Sequence, residues 1–358
     1  AAISARTASS AETVPSRWLN RLLNLMEGLP NQNGKAAADQ MKARGQHWIA
    51  LAQALEKPSA AQLADPRLAP ATRPAPQPPL AARPRKLSLT EISRLIRDPY
   101  AIYARHVLRL RPLDPLRAAP DPRDRGSVLH DIFERFVRTR PADETRDAAR
   151  ARLLSIATEV MADATPFPAA RLLWRARLER VVDYFLTQDA KHGGTSLLLE
   201  TPGALTLAPH DFTLVGKPDR IDELPDGRVH PTDYKTGTAP TDAQQDIYEK
   251  QLRLTAAMVE RGGFDGLGGP REVASYAYIG LASGGKAQET DLAGFDLEKE
   301  WQRFEQLIAR YAQRQTGYTA RRAVFSDRIE GDYDHLARYG EWQMTDRARP
   351  EPVGEDAP

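Results

Sequence analysis

The chain of 358 residues contains no cysteine. Disulfides, thiolate zinc sites and a cysteine-held iron–sulfur cluster are thereby excluded, so any metal must be held by oxygen or imidazole. Carboxylate-rich ligand sets favour magnesium, manganese or calcium. No run of 18 or more apolar residues occurs, and the amino terminus has neither a basic start nor an apolar signal region. A cytoplasmic location with no membrane partner is the resulting expectation. There is no Gly-x-x-x-x-Gly-Lys-Ser/Thr phosphate loop, so the chain is not expected to hydrolyse ATP. No internal repeat is apparent.

Hydrophobic residues make up 41% and charged residues 27%, the balance of an ordinary globular protein. The length allows two domains, or one large one with appendages. A formal net charge of +2 hides an uneven distribution: residues 63–125 carry 13 Lys/Arg against 6 Asp/Glu, a local +7, which leaves −5 for the rest. That stretch is either a surface that attracts a phosphodiester backbone or a solvated arginine-rich linker.

Helical spacing of Trp18, Leu19, Leu22, Leu23, Leu25 and Met26, then of Trp48, Ile49, Leu51 and Leu55, reads residues 1–57 as a helical piece of something larger. Residues 58–84 hold 8 of the 28 prolines, which predicts an extended linker over 58–86. Ser88-Leu-Thr-Glu91 is a capping box opening a helix that Pro99 should kink. A Pro- and Arg-rich loop over 112–125 precedes a helix from Gly126, and long helical patterns follow at 143–163 and 167–190. Strands are predicted over 196–200, 204–207, 212–223 and 228–234, then a helix over 242–261, a strand over 273–281 and a helix over 297–316. The order predicts a mixed α/β sheet flanked by helices, with residues 87–345 as one domain and 346–358 as a flexible tail.

The most informative stretch is Gly216-Lys-Pro-Asp-Arg-Ile-Asp222 through Asp233-Tyr-Lys-Thr-Gly237. It reads as two strands joined at Pro225-Asp226-Gly227, because Asp-Gly favours positive φ between alternating segments. Symmetry about Asp226 sets Asp219 opposite Asp233, with Cβ atoms roughly 4.5–5.5 Å apart. Like charges so placed repel unless a cation sits between them. Strand periodicity turns Lys235 to the same face. Two carboxylates and an ammonium at one spot describe a metal site that handles phosphate. Pro218 and Pro231 cannot donate to a ladder, which allows interruption or a slip in register. Upstream, Glu200 at the end of Leu197-Leu-Leu199 is either a surface group or a ligand aimed into a cleft. His130, beside the buried face marked by Leu129, Ile132 and Phe133, is either structural or a ligand. Gln251 is ambiguous alone.

Taken in order, Gly126-x-x-x-His130, strand-end Glu200, Gly-Lys-Pro-Asp-Arg-Ile-Asp, Asp-Tyr-Lys-Thr-Gly and Gln251-Leu resemble the RecB-type branch of the PD-(D/E)XK nucleases, and within it the carboxy-terminal nuclease domains of AddB-type helicase-nuclease subunits. Ser16-Arg-Trp-Leu-Asn-Arg-Leu22 is similar to the end of that family's helicase-like region, and Tyr333 to Arg338 with Glu341-Trp342 to its terminal segment. The resemblance implies a PD-(D/E)XK fold, and that Asp219 binds Mg²⁺, Mn²⁺ being able to substitute. It makes Asp233 the second carboxylate and Lys235 the group that orients water or stabilises the phosphorane. Glu200, His130 and Tyr234 join the metal set, and Gln251, Lys217 and Arg220 the substrate-binding set. A nearby cation is expected to lower the Lys235 pKa. The implied partners are DNA, as a single strand or unwound end, and an AddA-like helicase subunit; the implied activity is exonucleolytic cutting of the 5′-ended strand in double-strand break repair. A non-catalytic docking scaffold and a free-standing RecB-like exonuclease are the alternatives. Two departures stand out. Thr255 replaces the tyrosine of the Gln-x-x-x-Tyr helix, and Asp98 stands before Pro99-Tyr100 where iron–sulfur relatives carry cysteine, leaving helix 88–110 to be held by packing alone.

Overall fold

The computed structural model describes residues 16–65, 69–112, 122–282, 285–323 and 331–355, and divides the chain into two units, Ala1–Pro70 and Ala71–Pro358. Helices α1 (Arg17–Glu27), α2 (Gly34–Glu56) and α3 (Ala60–Leu63) form the first. Ser16 caps α1 by accepting from the Leu19 N–H, as a serine before a helix should. Trp18, Leu22, Leu25, Trp48, Ile49 and Leu55 of this unit stay exposed.

The second unit opens with β1 (Pro74–Gln77), β2 (Lys86–Ser88), α4 (Leu89–Arg97) and α5 (Pro99–Ile102), followed by a π-helical turn. Ser88 and Glu91 form the expected capping box, and Pro99 starts α5 at a position where its missing N–H costs nothing. Four helices come next: α6 (Pro122–Arg138), α7 (Arg146–Ala164), α8 (Pro168–Glu179) and α9 (Val182–Ala190). Strands β3 (Thr195–Leu199), β4 (Gly203–Leu207), β5 (Phe212–Gly216), β6 (Arg220–Glu223) and β7 (Val229–Lys235) precede α10 (Asp242–Ile247) and α11 (Gln251–Glu260). The remainder is β8 (Ser275–Gly280), β9 (Lys286–Asp291), α12 (Leu297–Tyr311) and β10 (Arg349–Pro352).

The central sheet runs β3-β6-β7-β8-β9. Only β7 and β8 pair in parallel, and α10 and α11 supply the crossover that a parallel pair requires. Alternation along the strands builds two cores. Ile221, Val229, Tyr276 and Tyr278 pack with α4, α11 and α12, while Tyr234 and Ile279 pack with α6 to α9 around Phe133, Phe136 and Phe185. Smaller sheets, β2-β5-β4 and β1-β10, complete the unit. Among the described residues no helix is long and apolar enough to cross a membrane.

Several sequence expectations are corrected. The strand read through 212–223 breaks at Lys217-Pro218-Asp219, where Pro218 has no N–H to offer, and β5 and β6 join different sheets. The helix read over 242–261 and that over 167–190 are each interrupted, at Tyr248–Lys250 and Arg180–Val181. Edge strand β9, Lys-Ala-Gln-Glu-Thr-Asp, was not foreseen because it lacks the apolar alternation of a strand with a buried face. The linker read over 58–86 and the tail read over 346–358 meet each other: β1 pairs in parallel with β10. Pro74 and Pro76 fit because the neighbouring segment needs only their carbonyls, which accept from Ala320 and Tyr318. Two arginines of the basic stretch are likewise structural. Buried Arg73 donates to the carbonyls of Ala320, Arg321 and Met344, and buried Arg83 to those of Tyr311, Arg314 and Thr316. Nor is helix 88–110 held by packing alone, since Asp98 accepts from the Arg321 N–H at 3.0 Å and Tyr100 N–H donates to Thr319. Of the loop read over 112–125, residues 113–121 lie outside the described residues.

Candidate active site

The β6–β7 hairpin positions the acids. Its register, Arg220↔Thr232 and Ile221↔Pro231, continues one step to set Asp219 opposite Asp233, and Gly227, at φ +83°, closes the turn by donating to the Leu224 carbonyl. Both acids are buried, at 7% and 2% exposure. Asp219 Oδ2 accepts from the Tyr234 N–H at 2.7 Å. Asp233 Oδ1 accepts from Gln251 Nε2 at 2.5 Å. Its Oδ2 lies 2.8 Å from Lys235 Nζ but takes no hydrogen bond of proper angle. Lys235 Nζ itself donates to Gln251 Oε1 at 2.9 Å. The first residue of α11 thus bridges the second acid and the lysine.

Glu200 enters from the far end of β3. It sits at φ +48°, a left-handed conformation that costs a non-glycine residue about 1 kcal/mol, with its N–H bonded to the Asp219 carbonyl. That bend turns its carboxylate to the cleft, where Oε1 lies 3.2 Å from His130 Nδ1 and Oε2 2.7 Å from Lys217 Nζ. His130 Nδ1 is also 3.2 Å from Asp219 Oδ1. Asp219, Asp233, His130, Lys217 and Lys235 line a cleft of about 350 Å³, and Glu200 joins them through His130 and Lys217.

Burial works against a charge on His130, but bonds to Asp219 and Glu200 outweigh it and raise its pKa to about 10. Burial and Asp233 push Asp219 up to about 6. The two shifts are consistent: the imidazolium faces several acids, whereas Asp219 faces burial and a like charge. Burial would also raise Glu200, yet bonds from His130 and Lys217 hold it below its usual range. Lys235 is shifted upward in the metal-free site, a state to which the lowering expected beside a bound cation does not apply. Burial lowers it, but Asp233 and Glu249 outweigh burial and the net direction is up, so without metal the lysine keeps its proton.

The donor set fits a divalent cation. Donor atoms of His130, Glu200 and Asp219 lie within 4.8 Å of one another, and the unsatisfied Asp233 Oδ2 is buried beside them. In the metal-free protein the imidazolium supplies the positive charge these acids require.

Two other sequence-derived site residues stand elsewhere. The Tyr234 ring lies behind the sheet against Phe133 and Phe185, because it alternates with Asp233 and Lys235; it meets the His130 ring edge-on at 6.5 Å, and its backbone N–H is what binds Asp219. Arg220 is 3% exposed and locked to Asp189 at 2.5 Å and Asp222 at 2.6 Å. It fastens β6 to α9 and cannot touch substrate. Sequence reading missed the cavity of about 370 Å³ beside the cleft, lined by Arg125, Trp174, Arg177, Arg180 and Thr236; Thr236 borders both. Trp174, Arg177 and Val181 at helical spacing were the available signal.

Residues 86–330 match the PD-(D/E)XK nuclease superfamily. An uncharacterized protein of Rickettsia bellii is 28% identical over 187 residues, 51% of this chain and 22% of that protein. One of Rickettsia conorii is 27% identical over 190 residues, covering 51% and 23%. The chain spans about a fifth of the length of these curated relatives. The solved structure of SSO0001 aligns with 63% of this chain and 76% of that one at 12% identity, with a TM-score of 0.28, too slight a likeness to inform the fold. The superfamily match covers more than half of the chain, its mixed α/β architecture agrees with that fold, and the chain belongs to the PD-(D/E)XK nuclease superfamily.

Proposed function

We propose that this chain is the Mg²⁺-dependent DNA exonuclease module of an AddAB-type helicase-nuclease, acting in the cytoplasm on the 5′-ended strand as an AddA-like partner unwinds a broken end. On this reading residues 1–57 are the end of a helicase-like region and residues 87–345 the nuclease domain. The observation that carries the proposal is the facing pair Asp219 and Asp233, tied through Gln251 to Lys235 and opening beside an arginine-lined cavity.

His130, Glu200, Asp219 and Asp233 would hold the cation, which would supply a water ionised at neutral pH and a counter-charge for the reacting phosphate. Gln251 fixes Lys235 so that its ammonium faces the growing negative charge of the phosphorane. The Tyr234 N–H holds Asp219 Oδ2, leaving Oδ1 directed at the cleft. Arg177 and Arg180 draw the strand's phosphates toward the acids. Binding a cation at His130 requires its proton to leave, so metal uptake is coupled to proton release.

The test is degradation of end-labelled single-stranded DNA. Wild type should release nucleotides with Mg²⁺ and none with EDTA, and Asp233→Asn and Lys235→Ala should each cut at least about 10²-fold more slowly. Undiminished cutting by either folded variant would dismiss the assignment. DNA binding without cutting by wild type would point instead to a docking scaffold.

A further inference from the structure

A second cluster lies on the opposite face of the central sheet. His192 follows α9, His230 is on β7 and Glu289 on edge strand β9, and one donor atom from each lies within 4.8 Å of the others. His192 Nε2 is 3.4 Å from Glu289 Oε1, and the two imidazole rings are 4.5 Å apart. We propose that these three side chains form a second metal site, selective for a zinc-class ion, that pins β9 and the turn after α9 to strand β7.

The geometry suits that ion. Tetrahedral zinc with bonds of about 2.0–2.1 Å holds its donors roughly 3.4 Å apart, the separation of His192 and Glu289. That distance is long for a hydrogen bond but right for a pair of zinc ligands. Ser275 Oγ contacts His230 Nδ1 at 2.8 Å and so orients the ring, as partners of metal-bound histidines do. Nε2 is then the nitrogen left to face a cation, on a side chain only 2% exposed. Lys191 binds Glu289 Oε2, which leaves Oε1 for the cation. Arg220, which also acts on His230, is committed to Asp222 at 2.6 Å.

Chemistry separates this site from the first. Two imidazoles and one carboxylate prefer zinc and its neighbours, whereas three carboxylates and one imidazole prefer magnesium or manganese. Its role is structural. β9 is the outer strand of its sheet, hydrogen-bonded on one side only, to β8, and the chain has no cysteine with which to staple it. Alternation places His230 behind the sheet with Tyr234, away from Asp233.

The experiment is Zn²⁺ titration of the chelator-stripped full chain by calorimetry in excess Mg²⁺, with Co²⁺ absorption reporting the ligand geometry. Wild type should bind one Zn²⁺ equivalent and give a tetrahedral Co²⁺ spectrum. His192→Ala and Glu289→Gln, shown to be folded by circular dichroism, should each weaken Zn²⁺ at least tenfold, and Asp219→Asn should leave it unchanged. The proposal is overturned if wild type binds no Zn²⁺ under excess Mg²⁺. It is equally overturned if both variants bind as wild type does, or if Asp219→Asn alone abolishes binding.

Discussion

Replacing Asp219 by asparagine should stabilise the metal-free protein while abolishing its chemistry. The carboxyl is 7% exposed, and burial together with Asp233 raises its pKa from 3.8 to about 6. A raised acid holds its proton more tightly in the fold than in the unfolded chain, so stability falls as pH rises from about 4 to about 6, and the whole penalty is present at neutral pH. Two units correspond to on the order of 3 kcal/mol. Asparagine carries no charge, and its amide oxygen still accepts from the Tyr234 N–H, so most of that gain should survive. In Mg²⁺ at a hundred times its Kd, wild type should recover about 2.7 kcal/mol and the variant almost nothing, closing the gap. Urea unfolding of both proteins at pH 7.5, in EDTA and in Mg²⁺, measures all four stabilities. At pH 4.5 in EDTA the difference should shrink, because wild-type Asp219 is then largely protonated. A variant less stable than wild type in EDTA, or an equal Mg²⁺ shift in both proteins, would show that no cation is needed between these acids.

Arg220→Ala should cost about 3–5 kcal/mol, the usual result of stripping one member from a buried ion pair, yet leave the cleavage rate per folded molecule near wild type; a selective loss of DNA affinity would restore this arginine to the substrate surface. Arg177→Ala with Arg180→Ala should raise KM for single-stranded DNA and reduce the slope of log affinity against log salt by about 1.4, two phosphate contacts on a single strand, with kcat little changed. An unaltered salt slope would separate the cavity from the DNA path. His230 is held near pKa 4 by burial and by His192, against the pull of Glu289. Stability should therefore be full above pH 6.5 and fall by on the order of 3 kcal/mol as pH drops to about 4, a loss that His230→Gln should remove in chelator-treated protein. Urea midpoints across that range decide the matter, and identical profiles would place the acid transition elsewhere.

How far the site could be read from the sequence follows from strand alternation. Asp226-Gly227 centres the hairpin, and counting outward places Asp219 against Asp233 with Lys235 on the same face, as the register has it. Glu200 and His130 came only from the order of motifs, since neither a lone strand-end acid nor a lone helical histidine carries the contacts that join them at 3.2 Å. What was misread breaks the rule that served elsewhere. Arg220 and Tyr234 are neighbours in sequence of Asp219 and of Asp233 and Lys235, and a period of two sends neighbours to opposite faces; kinship with the motif argued for the site, but geometry puts both behind the sheet. The β1–β10 pair was out of reach for a different reason. Its four-residue strands, Pro-Ala-Pro-Gln and Arg-Pro-Glu-Pro, are joined across most of the chain's length, and prolines that suppress a strand signal are harmless where the segment alongside needs only carbonyls. The same holds for Arg73 and Arg83. A count of charges sees a basic stretch, whereas those guanidiniums are spent on backbone carbonyls, and the cations best placed to meet a phosphodiester are Arg177, near the end of α8, and Arg180, just after it, in a segment whose own excess of arginine over acid lies outside that stretch.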